Sequence, residues 1–271
     1  MRIRLLHLTQ QLPQRSATQV FRHRLIISTI FIVILSITAC ATTSTDYREV
    51  VDHPGKYELI YYGYQADDPK RYKALVNKKE IFVTDDTVVP SIQSVFLLEH
   101  THFKEGDVVL DIGSGSGVQA LFAAAKAKKV VATDINPNAV KNTLYNVKYH
   151  GLEDKIDVRL GDLFAPVKTN EKFDVVIFNI DYPYDENDKQ LWEVHERFFA
   201  QVKKHLKPEG TIFYQAGWIW NIPRIMDMIT SNGFIVDRMT MARAYKQYRE
   251  PIVFELKYGF KMKQKIKGGK S

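Results

Sequence analysis

The sequence predicts an α/β fold, in which a seven-strand, mostly parallel sheet carries helices on both faces and follows a small β-containing extension. Two observations carry this prediction. From residue 107 onward, apolar strand-like runs alternate with helical patterns, as they do in parallel sheets covered on both faces. A glycine-rich turn, "GSGSG" at residues 113–117, follows the first of these runs directly.

Seven strands are expected after residue 106, with helices between the first six. The runs that predict them are "VVLDIG", "KVVATDI", "IDVRLGD", "FDVVIFNI", "GTIFYQAG", "FIVDRMTMA" and "IVFELKYG". A short loop joins the last two runs, so the final strand should be antiparallel to its neighbours. Asn136-Pro137 predicts the start of the second helix, and Gly151 predicts its end.

The region before this domain has a weaker pattern. It contains two short β segments, "YELIYYGY" and "EIFVTDD", and then a helical pattern near Ser91–His102. The predicted organisation therefore has four parts: a signal peptide or membrane anchor at 1–39, a tether and N-terminal extension at 40–105, the main domain at 106–260, and a basic tail at 261–271.

The net charge does not indicate a nucleic-acid-binding face. The formal net charge is +7, but the two ends of the chain carry more than that. Residues 1–39 contain five arginines and residues 261–271 contain five lysines, with no acids in either segment. Residues 40–260 consequently carry −3. A slightly acidic folded body gives no support for a broad phosphate-binding surface.

The N-terminal segment is typical of an export signal. Arg22 and Arg24 precede "LIISTIFIVILSITA", an uncharged run of fifteen residues that is shorter than the about 20 residues of a spanning helix. It ends at Cys40, the single cysteine of the chain, in a sequence that resembles a bacterial lipobox. We expect membrane association through a lipid anchor at Cys40. The alternatives are a plain signal-anchor helix, or a start of translation downstream of this segment that leaves the domain cytoplasmic.

The glycine-rich turn indicates close approach of the backbone to a ligand, since glycine tolerates folds that other residues do not. A dinucleotide-binding turn would need a third glycine where Val118 stands. Asp111, two residues before the turn, would repel a phosphate. Asp134, at the tip of the second strand, can accept both hydroxyls of a ribose. The pattern favours a cationic, ribose-bearing ligand over a pyrophosphate.

These segments resemble the Rossmann-like, seven-strand class of S-adenosylmethionine-dependent methyltransferases over about residues 80–258. "VVLDIGSGSG" is similar to their first motif, whose acid lies beside the methionine end of the cofactor. "VVATDINPNAV" is similar to the second, which places Asp134 on the ribose, and "RLGDLF" places Asp162 near the adenine. The resemblance implies S-adenosylmethionine as the cofactor, and as its binding residues Asp111, Gly113, Gly115, Gly117, Asp134, Asp162 and Asn179. The alternatives are an unrelated α/β protein in which these motifs are merely tight turns, and a nicotinamide-dependent dehydrogenase.

Within this class the sequence is most similar to the methyltransferase small domain group, which includes HemK-type enzymes acting on a glutamine amide and enzymes acting on exocyclic base amines. "FDVVIFN" puts Asn179 at the spacing of the group. The group continues N-P-P-Y, whereas this chain has "NIDYPY" at residues 179–184, the acceptor loop. Both expected prolines are replaced, and an alignment shifted by two would match "DYPY" to a D-P-P-Y variant.

An amide or aromatic amine is a poor nucleophile, so such enzymes orient its NH₂ group with hydrogen-bond acceptors and stack a ring on its plane. The resemblance implies Asn179 as the orienting acceptor and Tyr182 or Tyr184 as the stacking ring. Asp181, which stands where the group has a proline, is a candidate hydrogen-bond acceptor or base. The methyl acceptor would be a nitrogen of a protein, nucleic acid or small molecule, with no metal involved. The alternative is a membrane-tethered, catalytically impaired binding module. Trp218 and Trp220 either line a substrate pocket or cap the sheet.

Overall fold

A computed structural model describes residues 49–51, 56–68, 70–242 and 251–259. The predicted signal or anchor segment, Cys40 and the basic tail lie outside the described residues. All of the described residues belong to one compact unit, Asp46–Ser271. Each helix within the described ranges is too short or too polar to cross a membrane.

A four-stranded antiparallel sheet forms the N-terminal part. Its strands, in spatial order, are β1 (Glu49–Val51), β2 (Leu59–Tyr64), β3 (Arg71–Val76) and β4 (Lys79–Thr84). The two predicted segments are confirmed as β2 and β4; the three-residue β1 was missed, and so was β3. Two cations obscured its apolar pattern: the guanidinium of Arg71 lies 3.6 Å from the ring centroid of Tyr145, and Lys73 pairs with Glu80.

The main sheet has seven strands, and all seven were predicted. They are β5 (Val108–Ile112), β6 (Lys129–Asp134), β7 (Ile156–Leu160), β8 (Phe173–Phe178), β9 (Leu206–Ala216), β10 (Phe234–Met241) and β11 (Ile252–Tyr258). Their spatial order is β10-β11-β9-β8-β5-β6-β7. Only β11 runs opposite to the other six strands, which confirms the expectation drawn from the short final loop.

Helices cover both faces of this sheet, as the α/β prediction requires. They are α1 (Ile92–His100), α2 (Val118–Ala123), α3 (Pro137–Tyr149), α4 (Lys189–Val202) and α5 (Ile222–Ser231). One apolar cluster packs α1, α2 and α3 against the sheet, and a second, richer in aromatic rings, packs α4 and α5 against the opposite face. As predicted, α3 begins with Asn136 as its N-cap and Pro137 in its first turn.

The expected helix between the third and fourth strands of the main sheet is wrong. Residues 161–172 form turns instead, held by backbone bonds such as Ala165 N to Asp162 O at 2.8 Å. Pro166 has no N–H to continue a helical ladder from this short segment. The connection is therefore a loop at the edge of the sheet, and it leaves the end of β7 accessible from the side.

Two asparagines of α3 attach the small sheet to the main domain. Asn146 Oδ1 accepts from Phe82 N at 2.9 Å, and Asn142 Oδ1 accepts from Thr84 N at 3.0 Å. Both amide groups also donate to Phe82 O. Because these side chains satisfy the edge of β4, the strand ends at a fixed place, and residues 86–91 pass beside the glycine-rich turn.

Candidate functional site

The predicted tight turn follows β5. Gly113, Gly115 and Gly117 have φ of +73°, +54° and +79°, values that residues with a Cβ adopt only with strain. The N–H groups of Gly113 and Ser114 both donate to Thr133 O, at 2.8 and 3.0 Å. The backbone thus turns sharply off β5, and α2 begins directly after Gly117.

Asp134 lies at the tip of β6, where the sequence predicted it, and holds the turn in place. Its Oδ2 accepts from Gly115 N and its Oδ1 from Asn136 N, both at 2.8 Å. Each carboxylate oxygen keeps a second acceptor position for a ligand hydroxyl. The side chain is half-buried at the cavity wall, so it can serve both the turn and a ligand.

Asp111 lies near the end of β5, two residues before the glycine-rich turn. Its side chain is buried behind the glycine-rich turn, where one oxygen accepts from Ala120 N at 3.1 Å and the other has no partner. Burial raises the pKa of this carboxyl to about 7, against the lowering effect of the Ala120 bond. Asp111 does not line the cavity, so its direct contact with a ligand stays a prediction while its role in fixing α2 is visible.

Asp162 follows β7 and lines the cavity, but it has a protein partner that the sequence did not indicate. Arg197 Nη1, from α4, lies 2.5 Å from Asp162 Oδ2. This ion pair joins two elements of the wall and leaves part of the carboxylate free to accept from a ligand.

The acceptor loop leaves β8, which is the neighbour of β5 in the sheet. Chain order reverses between these two strands, and ligands of open α/β sheets bind at such a switch point. Asn179 Nδ2 lies 3.4 Å from Ser94 Oγ of α1. Ile180 packs over the turn so closely that a methyl group at Gly113 would lie 2.2 Å from its Cγ2.

The structure brings Asp181 and Tyr182 into the cavity wall but not Tyr184. The ring of Tyr182 lies against Gly217, at which a methyl group would come within 1.9 Å of the ring. Tyr184 is 58% exposed and packs edge-on against Trp218 and Trp220. Of the two rings proposed from the sequence for stacking, Tyr182 is the one placed for it.

The two tryptophans do not line the cavity. Trp218 is buried and stacks on Trp220 with ring centroids 4.7 Å apart, while Trp220 remains half exposed. Of the two open alternatives, the structure favours a capping role, because these rings close the sheet beside the acceptor loop.

All of these strand tips open into one cavity of about 520 Å³, a volume typical of small-molecule sites. Two further parts of its wall come from outside the strand tips. Residues 86–94 contribute one side, and the helix α4 contributes the other through Leu191, Val194 and Arg197. The α4 side was missed from the sequence, because the fold alone brings it to the strand tips. No group of three or more His, Cys, Asp or Glu side chains suited to a metal ion occurs within the described ranges.

The family profile of the methyltransferase small domain matches residues 75–239, which is more than half of the chain. The chain belongs to the methyltransferase small domain family. The match covers β4, α1 and every strand tip of the cavity, and it begins well before residue 106, where we placed the start of the main domain.

Individual relatives agree with this assignment. The chain is 31% identical over 160 residues to a release factor glutamine methyltransferase of Aquifex aeolicus, covering 50% of this chain and 56% of that protein. It is 35% identical over 155 residues to a ribosomal protein L11 methyltransferase of Oceanobacillus iheyensis, covering 56% of this chain and 44% of that protein. The chain thus spans about half the length of these curated relatives.

Solved structures share the fold at lower identity. A tRNA m1G37 methyltransferase of M. jannaschii superposes with a TM-score of 0.57 at 20% identity, covering 71% of this chain and 58% of that chain. A ribosomal protein L11 methylase of Lactobacillus delbrueckii subsp. bulgaricus gives a TM-score of 0.52 at 23% identity, covering 65% of this chain and 83% of that chain. At these identities the likeness concerns the fold alone.

Proposed function

We propose that this protein transfers the methyl group of S-adenosylmethionine to an amide or amino nitrogen. One observation carries the proposal: a single cavity joins the glycine-rich turn, Asp134 and Asp162 to the acceptor loop. A ligand held by the glycine-rich turn and the two aspartates would have its reactive end beside the acceptor loop, because the turn and the loop touch through Gly113 and Ile180.

The residues present fit the cofactor. A methyl group at Gly115 would meet open space within 4 Å, so the turn presents bare backbone to whatever lies there. Asp134 would hold the ribose hydroxyls, Asp162 the adenine end, and the turn glycines the remainder. S-adenosylmethionine supplies an activated methyl group when it is bound. Four aspartates and one arginine line the cavity, and this acidic balance suits the cationic sulfonium of the cofactor better than it suits a phosphate.

The acceptor loop would present the nucleophile. Because Asn179 Nδ2 faces Ser94 Oγ, its Oδ1 points away from Ser94 and can accept from the NH₂ group of the substrate. The ring of Tyr182, fixed on Gly217, would stack on the planar group. Asp181 also lines the cavity, where its carboxylate would accept a hydrogen bond from the substrate; the proton that the nitrogen releases after transfer would pass to solvent.

We propose a protein substrate. The curated relatives described above act, by their names, on a release factor and on ribosomal protein L11. The acidic balance of residues 40–260 gives no support for docking on nucleic acid. The direct test is transfer of labelled methyl from S-adenosylmethionine to purified release factor, ribosomal protein L11 and bulk tRNA. Labelling of tRNA alone would refute the protein assignment, and labelling of none would favour the impaired binding module.

The altered loop offers a sharper test of the acceptor chemistry. Ile180→Pro together with Asp181→Pro restores the rigid turn and keeps the carbonyl of residue 181. If the acceptor is a planar amide or amine, this double variant should retain or exceed wild-type labelling. Abolished labelling would show that Asp181 has a chemical role of its own and that the planar-nitrogen assignment is wrong.

We also propose membrane attachment through Cys40, which rests on the sequence alone. A processed lipobox predicts that the full-length protein incorporates labelled palmitate and that Cys40→Ala does not. Stable anchoring takes more than one acyl chain, since a single chain binds marginally. Recovery of unlabelled protein lacking residues 1–39 would refute the anchor.

A further inference from the structure

The acceptor loop is held by side chains from elsewhere in the fold. Three carbonyl oxygens of the loop, at residues 181, 183 and 184, and the next one along the chain, at residue 185, each accept a hydrogen bond from a side-chain donor. The pairs are His195 Nε2 to Asp181 O (3.0 Å), Asn221 Nδ2 to Pro183 O (2.6 Å), Trp220 Nε1 to Tyr184 O (2.6 Å) and Trp192 Nε1 to Asp185 O (2.8 Å). We call these four donors the carbonyl clamp.

His195 differs from the other three donors because it has a support of its own. Its ring lies in the aromatic core on α4, fully buried, and its Nδ1 is 2.6 Å from Tyr214 Oη of β9. The Asp181 carbonyl only accepts, so Nε2 must carry the hydrogen and Nδ1 must accept from the tyrosine hydroxyl. Burial lowers the pKa of His195 to about 4, so the ring is neutral near pH 7 and this tautomer is stable.

We propose that His195, supported by Tyr214, is the positioning residue of the acceptor loop. The bond fixes the peptide plane between Asp181 and Tyr182, the two loop residues beside it that line the cavity. Residues 179–182 contain no proline, so this segment has no intrinsic rigidity of the kind a pyrrolidine ring gives. A hydrogen bond from a rigid, buried ring provides the constraint instead.

The direction of this bond has a consequence for the cavity. No cis peptide occurs among the described residues, so the C=O and N–H of the linkage point to opposite sides. The Asp181 carbonyl points into the core toward His195, and this fixes the orientation of the peptide plane. The directions in which the flanking Asp181 and Tyr182 side chains leave the backbone are limited as a result. Tyr182 is further confined because its ring fills the space above Gly217. The inference rests on the proposed function, since it gives His195 the task of presenting a methyl-acceptor site.

Three variants of His195 separate positioning from packing. His195→Gln keeps an N–H donor at about the reach of Nε2, His195→Asn reaches only as far as Nδ1, and His195→Phe keeps the aromatic volume without any donor. If His195 positions the loop, the Gln variant should behave as wild type, while the Asn and Phe variants should release the loop. A purely packing role would instead favour the Phe variant.

The chain provides its own reporter. Its three tryptophans are Trp192, Trp218 and Trp220, so the indole N–H region of an ¹⁵N spectrum of the full-length protein holds three signals from this part of the molecule. Trp220 is the cleaner reporter, because its ring contacts are with Tyr184 and Trp218 and not with His195. Solvent exchange of its indole N–H measures how often the bond to Tyr184 O opens.

We expect this exchange to be at least about tenfold faster in the Asn and Phe variants and to remain within about threefold of wild type in the Gln variant, as loss of one buried hydrogen bond predicts. Equal exchange in the Gln and Asn variants would overturn the proposal, as would wild-type exchange in the Phe variant. If the Phe variant fails to fold, the Gln–Asn comparison decides alone, and unfolding of the Gln variant also overturns the proposal.

The exchange measurement requires no ligand. Titration of the same samples with S-adenosylhomocysteine tests the proposed function separately. A missing response to this ligand in the wild type would refute the cofactor assignment while leaving the result for His195 intact.

Discussion

The cavity wall has two halves that are built in different ways. The cofactor half consists of the glycine-rich turn, Asp134 and Asp162, and backbone geometry shapes it: three positive φ angles and N–H groups tied to Thr133 O and Asp134. The acceptor half consists of residues 179–184, and distant side chains shape it through the carbonyl clamp. The first half is fixed by local sequence, and the second by the packing of α4 and α5 around it.

Because the two halves are held in different ways, they tolerate different substitutions. A backbone-defined turn has little freedom to change, because its conformation excludes side chains. A loop held from outside can change its own residues as long as its carbonyls keep their donors. The replacement of two expected prolines by Ile180 and Asp181 is then compatible with a working site, because the hydrogen bonds of the clamp go to carbonyl oxygens.

The largest effect is expected where the halves touch. Gly113→Ala combines a strained φ with a methyl group 2.2 Å from Ile180 Cγ2, and should cost about 2–5 kcal/mol of unfolding free energy in urea titrations. Gly115→Ala is the matched control, because its φ is also positive but its methyl group meets open space; it should cost about 1–2 kcal/mol. Adding Ile180→Ala should relieve Gly113→Ala selectively. An equal loss of unfolding free energy in the two glycine variants would show that the turn and the acceptor loop are not tightly packed against each other.

Asn179 tests the acceptor half by itself. Asn179→Ala should lower turnover roughly 100-fold at saturating cofactor, because the lost contact acts on the nucleophile during transfer. The measurement is the rate of labelled methyl transfer to whichever protein substrate responds. Asn187→Ala, in the same connection but outside the cavity wall, should stay within about twofold of wild type. Unchanged turnover in Asn179→Ala would remove this residue from the acceptor site.

Asp111, behind the glycine-rich turn, and His195, in the carbonyl clamp, should have opposite effects on folding stability as the pH changes. Burial raises the folded-state pKa of Asp111 to about 7 from an ordinary value of 3.8, so its stabilising contribution is complete below pH 4 and is lost as pH rises toward 7. Between pH 5 and pH 7 the wild type should lose on the order of 2 kcal/mol more stability than Asp111→Asn. Urea titrations at the two values measure this difference, and parallel curves would contradict it.

His195 has the opposite sign. Its folded-state pKa is lowered to about 4 from 6.5, so its contribution is present above pH 6.5 and is lost as pH falls through 4. Because the two groups oppose each other over this range, the wild-type curve alone does not isolate Asp111. The difference between wild type and Asp111→Asn does.

The two halves of the wall also differ in how far the sequence predicted them. The turn, the seven strands of the main sheet and Asp134 followed from local patterns, since glycine spacing and strand tips are encoded within a few residues. The clamp did not, because its donors stand 7 to 38 residues from their acceptors and nothing local marks His195 or Asn221. The same reason explains the unforeseen Arg197 partner of Asp162. Tyr184 was proposed for the cavity by spacing alone, and the rings of Trp218 and Trp220 hold it outside.

The central claim is that the cofactor half binds S-adenosylmethionine, whereas the acceptor half orients the methyl acceptor. Calorimetric titration of the full-length protein with S-adenosylhomocysteine tests it most directly, using Asp134→Ala and Asn179→Ala beside the wild type. Loss of hydrogen bonds to a charged carboxylate should weaken binding by about 1.5–3 kcal/mol in Asp134→Ala. Asn179→Ala should bind within about twofold of wild type, because it acts on the acceptor and not on the cofactor. Wild-type affinity in Asp134→Ala, or an equal loss in both variants, would contradict the account.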